Sequence, residues 1–121
     1  MVEKQTERQS DSLNRVFHAL SDPSRRRIVG LLRETKELRV SDIALAFAMS
    51  LNGVSKHLKV LEAATLVTRR IDGRNHYLSV NWKALQPAYE FLHFYQHSWN
   101  QRLDGLVEYA ELQTKRKQRK K

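Results

Sequence analysis

The chain has 121 residues, no cysteine and a formal net charge of +9. That length supports one modest domain, the missing cysteine removes disulfides, thiolate metal sites and thiol redox sensing together, and no apolar run approaches the roughly 18 residues a membrane span needs. Six of the positive charges lie between Lys115 and Lys121, and taking six from +9 leaves a body of only +3, so overall charge does not by itself establish a nucleic-acid partner.

Residues 1–11 are polar and mixed in charge, which predicts a flexible N-terminal tail. They contain no apolar signal region, so the expected location is the cytoplasm. Leu13, Val16, Phe17 and Leu20 then recur at helical spacing and predict a first helix. Ser21-Asp22-Pro23 breaks it. Asp22 is a natural N-cap and Pro23 suits the first helical position, so a second helix begins here and carries Ile28, Leu31 and Leu32 inward. Arg25, Arg26 and Arg27 fall in its first turns, where the helix dipole disfavours cations. They read either as a solvated face with ion pairs or as phosphate contacts. Thr35 to Leu38 is a connection, with a short strand available at 38–40. Ser41 is expected to cap a third helix over 42–47, whose buried face is Ile43, Ala44 and Phe47.

Ala48-Met49-Ser50 is the turn into a fourth helix, expected over 52–62. Its apolar residues Val54, Leu58 and Leu61 fall at i, i+4 and i+7 and form one narrow stripe. Asn52, Lys56, Lys59 and Ala63 point the other way, with Ser55 on the flank. Ser50 stands at the N-cap position. Gly53 costs about 1 kcal/mol of helical propensity against Ala, and it leaves the leading end of the helix slim. The small, polar, cationic face suits the DNA major groove, because Asn pairs with adenine, Lys with guanine, and Ser with either class of base edge. His57 lies on the border of that face, either as a satisfied half-buried group or as a phosphate donor.

Residues 66–71 are rich in β-branched side chains and read as a strand. Asp72-Gly73 signals a turn, and residues 76–80 return as a second strand. Arg69 and Arg70 precede the turn, and Arg74, Asn75 and His76 follow it. A basic hairpin tip is either an ordinary charged turn or, beside a groove-binding helix, a contact to the minor groove or phosphates. Pro87 is tolerated only near a helix start, so a long last helix begins around Gln86. Leu85, Ala88, Leu92, Tyr95 and Trp99, then Leu103, Leu106 and Ala110, give a seam close to a heptad with one slip. Phe91, Phe94, Val107 and Tyr109 widen it beyond what a lone surface helix shows. The expectation is packing against the first helix and against the last helix of a second subunit, with Leu13, Phe17, Leu92, Tyr95, Trp99, Leu103 and Leu106 as the dimerisation residues. Residues 114–121 read as a basic, disordered C-terminal tail.

An enzyme is not indicated. No serine sits in a GxSxG setting, the four glycines build no phosphate-cradling loop, and the five histidines are scattered. Glu90, His93 and His97 share one face of the last helix, and three N/O ligands can hold zinc with one more from a partner. The plainer reading of these three is a polar strip beside the seam. No cofactor is expected.

The segment SLNGVSKHLKVLEAATLVTRR resembles the recognition helix and following strand of the arsenic-repressor (ArsR/SmtB-like) winged-helix regulators. FHALSDPSRRRIVGLL resembles the first two helices of that family, and with the hairpin IDGRNHYLSV the resemblance runs from Leu13 to Leu112. It implies a homodimer whose hairpin is a DNA-contacting wing. Many relatives are metal-regulated through a Glu-Leu-Cys-Val-Cys-Asp motif. Here the aligned residues are Glu37-Leu38-Arg39-Val40-Ser41-Asp42, so both thiolates are missing. The family's second metal site, on the last helix, has an Asp/His spacing that Glu90, His93 and His97 do not match. The chain therefore resembles the subtype lacking the cysteine metal box.

The expected architecture is mainly α with a small β-hairpin wing, in the order α-α-α-α-β-β-α, over residues 12–113 and paired as a homodimer. The expected function is a sequence-specific, dimeric DNA-binding repressor acting on a two-fold-related double-stranded operator. The expected DNA-facing residues are Ser50, Asn52, Ser55, Lys56, His57 and Lys59 on the helix and Arg69, Arg70, Arg74 and Asn75 on the wing, with no metal site. Two alternatives stand beside it. One is a metal-responsive repressor using Glu90, His93 and His97. The other is a winged-helix module for protein or RNA, against which counts the placing of Phe91, Phe94, Tyr95 and Trp99 on the last helix rather than beside the cations. Release from DNA by a small-molecule effector, a protein effector or neither stays open.

Overall fold

The computed structural model describes the backbone of residues 2–119. Its elements in chain order are α1 (Val2–Leu20), α2 (Pro23–Glu34), β1 (Leu38–Arg39), α3 (Val40–Phe47), α4 (Leu51–Ala63), β2 (Val67–Asp72), β3 (Asn75–Val80), a short 3-10 helix (Trp82–Leu85) and α5 (Gln86–Arg119). The apolar spacing that predicts each helix also fills the core. Val16 and Ala19 of α1, Ile28 of α2, Ile43 of α3 and Val54, Leu58 and Leu61 of α4 are all fully buried. Each large aliphatic side chain taken from water in this way contributes about 1.5–3 kcal/mol.

Local chemistry sets the boundaries. The Asp22 carboxylate accepts from the Arg25 amide at 3.1 Å with Pro23 just inside the helix, as the sequence requires for α2. That amide bond is the main reason the Asp22 carboxyl is held below the usual carboxylate range. α3 begins earlier than expected. Arg39, not Ser41, is its N-cap, because the Asp42 carboxylate accepts from the Arg39 amide at 3.2 Å and from its guanidinium at 3.1 Å. Both α3 and α4 end in a left-handed residue that is not glycine, Ala48 (φ 51) and Thr65 (φ 57).

The wing is more than a hairpin. β2 and β3 pair antiparallel from Val67↔Val80 to Asp72↔Asn75, and β1 joins the far side of β3 through Leu38↔Leu78 and Arg39↔Tyr77, giving the order β1-β3-β2. Only Gly73 and Arg74 remain unpaired at the tip. Gly73 has φ +61 while Arg74 does not have a positive φ. Left-handed backbone at the first central position alone is the type II′ pattern, which glycine adopts without steric cost.

The termini of the expected domain are not marked by changes in backbone. α1 is helical from Val2, ahead of the boundary expected at residue 11, and α5 is helical to Arg119, past the boundary expected at 113. Lys120 and Lys121 lie outside the described residues. The chain divides into two compact units, Met1–Ala88 and Tyr89–Lys121, and among the described residues Ala88 is the buried residue of α5.

Candidate nucleic-acid interface

α4 is anchored at both ends. At its start the Ser50 hydroxyl accepts from the Gly53 amide at 3.0 Å. A Cβ on Gly53 would stand 3.1 Å from that hydroxyl oxygen, so glycine keeps the cap uncrowded as well as slimming the helix tip. With Val54, Leu58 and Leu61 fixed in the core, the opposite face is presented outward. Asn52, Lys56 and Lys59 are exposed, and Ser55 is half-buried on the flank. Neither lysine is in an ion pair among the described residues.

The wing tip brings Arg74 and Asn75 to the surface, also without an ion pair among the described residues. A cleft of about 320 Å³ separates the start of α4 from the wing. Ser55, Arg69, Arg74, Asn75 and His76 line it on those sides, and Arg39 and Ser41 contribute from the β1–α3 junction. The cleft thus lies between helix face and tip within the first unit, with Val40 and Leu51 adding apolar lining to its polar groups.

Two of the four expected wing contacts are engaged elsewhere. Arg69 binds Glu62 through Nη2 at 2.6 Å and Nε at 3.4 Å, and its Nη1 donates to His76 Nδ1 at 3.0 Å. Arg70 binds Glu37 through Nη2 at 2.6 Å and Nε at 3.3 Å, with its guanidinium carbon 4.4 Å from the centre of the Tyr77 ring. The Arg70 side chain accordingly holds the Glu37 carboxyl below the usual carboxylate range. His57 is half-buried, with Nδ1 3.8 Å from the Asp22 carboxylate, so it faces the cap of α2.

The arginines opening α2 serve a role absent from both sequence readings. Arg25 donates through Nε to the Ala19 carbonyl at 2.7 Å and through Nη2 to the His18 carbonyl at 3.1 Å, and Arg26 Nη1 donates to the Leu20 carbonyl at 2.7 Å. The last carbonyls of α1 have no intrahelical partner. Cations there are favoured by the dipole of α1, which offsets their awkward place at the start of α2. Arg27 is exposed.

Of the expected dimer residues, Leu13 and Phe17 are half-buried against the core of the first unit. Leu92, Tyr95, Trp99, Leu103 and Leu106 are exposed in the single chain, with Trp99 at 61%. Phe91 and Tyr95 pack ring to ring at 4.8 Å along the same helix. Of the residues weighed as metal ligands, His93 stacks on Tyr89 at 5.7 Å, and His97 Nε2 lies 3.3 Å from the Gln101 amide nitrogen. Among the described residues no three His, Cys, Asp or Glu side chains are grouped to hold a metal ion.

Comparison with known proteins agrees with this geometry. The helix-turn-helix domain family matches residues 20–70, which span α2 to β2. The chain is 35% identical over 80 residues to the transcriptional repressor SdpR of Bacillus subtilis, covering 66% of this chain and 88% of that protein. It is 40% identical over 72 residues to a transcriptional repressor SmtB homolog of Synechocystis, covering 60% of this chain but only 54% of that protein. Among solved structures, an ArsR-like transcriptional regulator from Rhodococcus superposes with a TM-score of 0.69 at 29% identity, covering 84% of this chain and 92% of that one. The homodimeric winged helix-turn-helix DNA-binding domain of a Mycobacterium bovis protein, described as a possible ArsR-family regulator, gives a TM-score of 0.58 at 29% identity, over 72% of this chain and 82% of that one. With the helix-turn-helix, the three-stranded wing and these relatives in agreement, the chain belongs to the ArsR/SmtB-like family of winged helix-turn-helix, DNA-binding transcriptional regulators.

Proposed function

We propose that the protein is a cytoplasmic, homodimeric repressor that recognises a two-fold-related operator, with α4 in the major groove and the wing tip beside it. The observation that carries this reading is the face of α4. Val54, Leu58 and Leu61 are wholly buried on one side, which turns Asn52, Lys56 and Lys59 outward as a polar face with no carboxylate. Asn52, Ser55 and Lys56 are assigned to base edges. Ser50 and Lys59 are assigned to the backbone, and Arg74 and Asn75 to phosphates or the minor groove at the tip, while His57 is left to the α2 cap it faces. The exposed apolar length of α5, from Leu92 to Leu106, supports pairing with a second copy, since monomers rarely leave so large a patch in water. The repressor names of the Bacillus and Synechocystis relatives and the homodimeric Mycobacterium structure support the same reading.

Selection of bound duplexes from a random pool tests it. The expected product is a palindromic site with half-sites about 34 Å, one helical turn, or a multiple apart. Lys56→Ala and Asn52→Ala should each cost on the order of 1–3 kcal/mol on that site and much less on random DNA. Equal loss on both duplexes, or equal competition by RNA of the same length, refutes the assignment.

A further inference from the structure

Arg69 and Arg70 are consecutive residues of β2, so their side chains leave opposite faces of the sheet. Each meets a carboxylate, Arg69 one seven residues earlier and Arg70 one 33 residues earlier. On one face Arg69 engages partners with all three guanidinium nitrogens: Nη2 and Nε on Glu62, near the end of α4, and Nη1 on His76 of β3. A guanidinium only donates, so His76 Nδ1 is the acceptor and carries no proton there. On the other face Arg70 forks onto Glu37, just before β1, and lies against the Tyr77 ring directly across the ladder. Arg74 at the tip has no such partner among the described residues.

We propose that Arg69 is a positioning residue that sets the angle between α4 and the wing by gripping Glu62 and His76 at once, that Arg70 braces the opposite face through Glu37, and that Arg74 is the wing arginine left for DNA. The proposal rests on the DNA-binding reading above. Three observations support it. The planar fork of arginine fixes direction as well as distance when it binds a carboxylate through two nitrogens. The link from α4 to β2 is only Ala64, Thr65 and Leu66, whose amides bond back to α4, so the Arg69 grip adds a side-chain clamp across a short joint already closed by backbone bonds. Finally, a carboxylate at the end of a helix that enters a groove would be repelled by phosphates unless a cation is held against it. Arg69 supplies that cation, with both side chains only about a third exposed or less.

The sign of one substitution separates positioning from contact. If Arg69 touched phosphate, Glu62→Gln would remove a negative charge and release the arginine, and DNA binding would strengthen. A positioning role predicts the reverse, a loss of about three- to tenfold on the selected duplex, the range for a partly exposed, two-pronged ion pair. Arg69→Lys keeps the charge but not the fork. It should weaken binding by a similar factor and leave the slope of log affinity against log salt unchanged, whereas giving up one phosphate of duplex DNA lowers that slope by about 0.9. Arg74→Gln should lower the slope. Amide relaxation of residues 72–76 in the DNA-free protein gives a readout independent of DNA, and Glu62→Gln should raise wing mobility. Tighter binding by Glu62→Gln, a reduced slope for Arg69→Lys, or an unaltered wing in Glu62→Gln each overturns the proposal. If Glu62→Gln does not fold, the Arg69→Lys slope decides. Loss of wing order in Glu62→Gln with no duplex bound by the wild-type protein would uphold the brace and reject the DNA reading.

Discussion

Thr65 offers a direct test of how the joint after α4 is built. It occupies the position just past the helix end, where its amide donates to the Glu62 carbonyl at 2.9 Å and the next amide, Leu66, donates to the Leu61 carbonyl at 3.0 Å. This pair of bonds is the Schellman closure, which calls for left-handed backbone and ordinarily uses glycine. Thr65 meets the requirement with φ 57 despite a β-branched side chain. A non-glycine residue there costs about 1–2 kcal/mol. Thr65→Gly removes that cost but adds about 0.4–1 kcal/mol of unfolded-chain entropy. It also deletes the bond from the Thr65 hydroxyl to the Ala64 carbonyl, 2.7 Å long on an exposed residue. The net expectation is stabilisation by about 0.5 kcal/mol, or a Tm rise of about 2–4 °C for a unit of this size. Urea melts at several protein concentrations, which separate folding from subunit association, measure it. Thr65→Ala is the control: it keeps the Cβ, loses the hydroxyl and should gain nothing. If Thr65→Gly lowers the midpoint with an unchanged m-value, the left-handed position is not a source of strain and the reasoning fails.

Further outcomes follow from other contacts. Arg25→Met strips two donors from the end of α1 and should cost about 1 kcal/mol of stability without changing the salt slope of DNA binding; a reduced slope would reinstate the phosphate role. Leu92→Glu or Trp99→Glu places a charge in the α5 seam, costly to bury unpaired, and sedimentation should show monomers, whereas an intact dimer from both variants would refute the seam. The Asp22 carboxyl is lowered chiefly by the Arg25 amide and the Asp42 carboxyl chiefly by the Arg39 guanidinium. A depressed folded pKa means that these caps contribute fully above the ordinary carboxylate pKa near 4 and lose that contribution as pH falls through the lower folded values. Urea midpoints should therefore decline below about pH 4, and less steeply for Asp22→Asn. Chelator and micromolar zinc should leave DNA affinity unchanged; a zinc-dependent loss abolished by His93→Ala or His97→Ala would establish a metal-responsive switch.

The sequence was most informative where chemistry is local. Asp22-Pro23 announces α2, Ser50 announces α4, and the stripe of Val54, Leu58 and Leu61 fixes which way Asn52 and Lys56 face, because each signal lies within two turns of the element it governs. β1 was visible only as an option, since two residues carry no periodicity and the strand exists by virtue of Leu78 and Tyr77 far along the chain. The charged residues were least legible. Arg69 and Arg70 look like free wing cations until Glu62 and Glu37 are placed beside them, and Glu37 lies 33 residues from Arg70. Ser41 yields the cap of α3 to a competitor that the sequence also contains, the Asp42 carboxylate reaching back to Arg39. Arg25 and Arg26 read in the sequence as solvated or phosphate-facing, but their partners are backbone carbonyls of the preceding helix, which no charge pattern reveals.

The pairing of β1 with β3 also has a topological consequence. Leu38 and Leu78 stand opposite each other about forty residues apart, and the segment they enclose contains α3, α4 and β2. The helix-turn-helix is thus a closed loop, fastened by a two-residue strand in place of a covalent link. Closing such a loop carries an entropy cost that grows only slowly with its length, about 0.6 kcal/mol per doubling. The β2–β3 hairpin closes over Gly73 and Arg74 on its own, whereas Leu38 reaches Leu78 only after the intervening helices have packed. The fastening is therefore late to form. The Arg70–Glu37 ion pair lies next to it, so the same closure is held by two ladder pairs of backbone and by one side-chain fork, neither of which is local in the sequence.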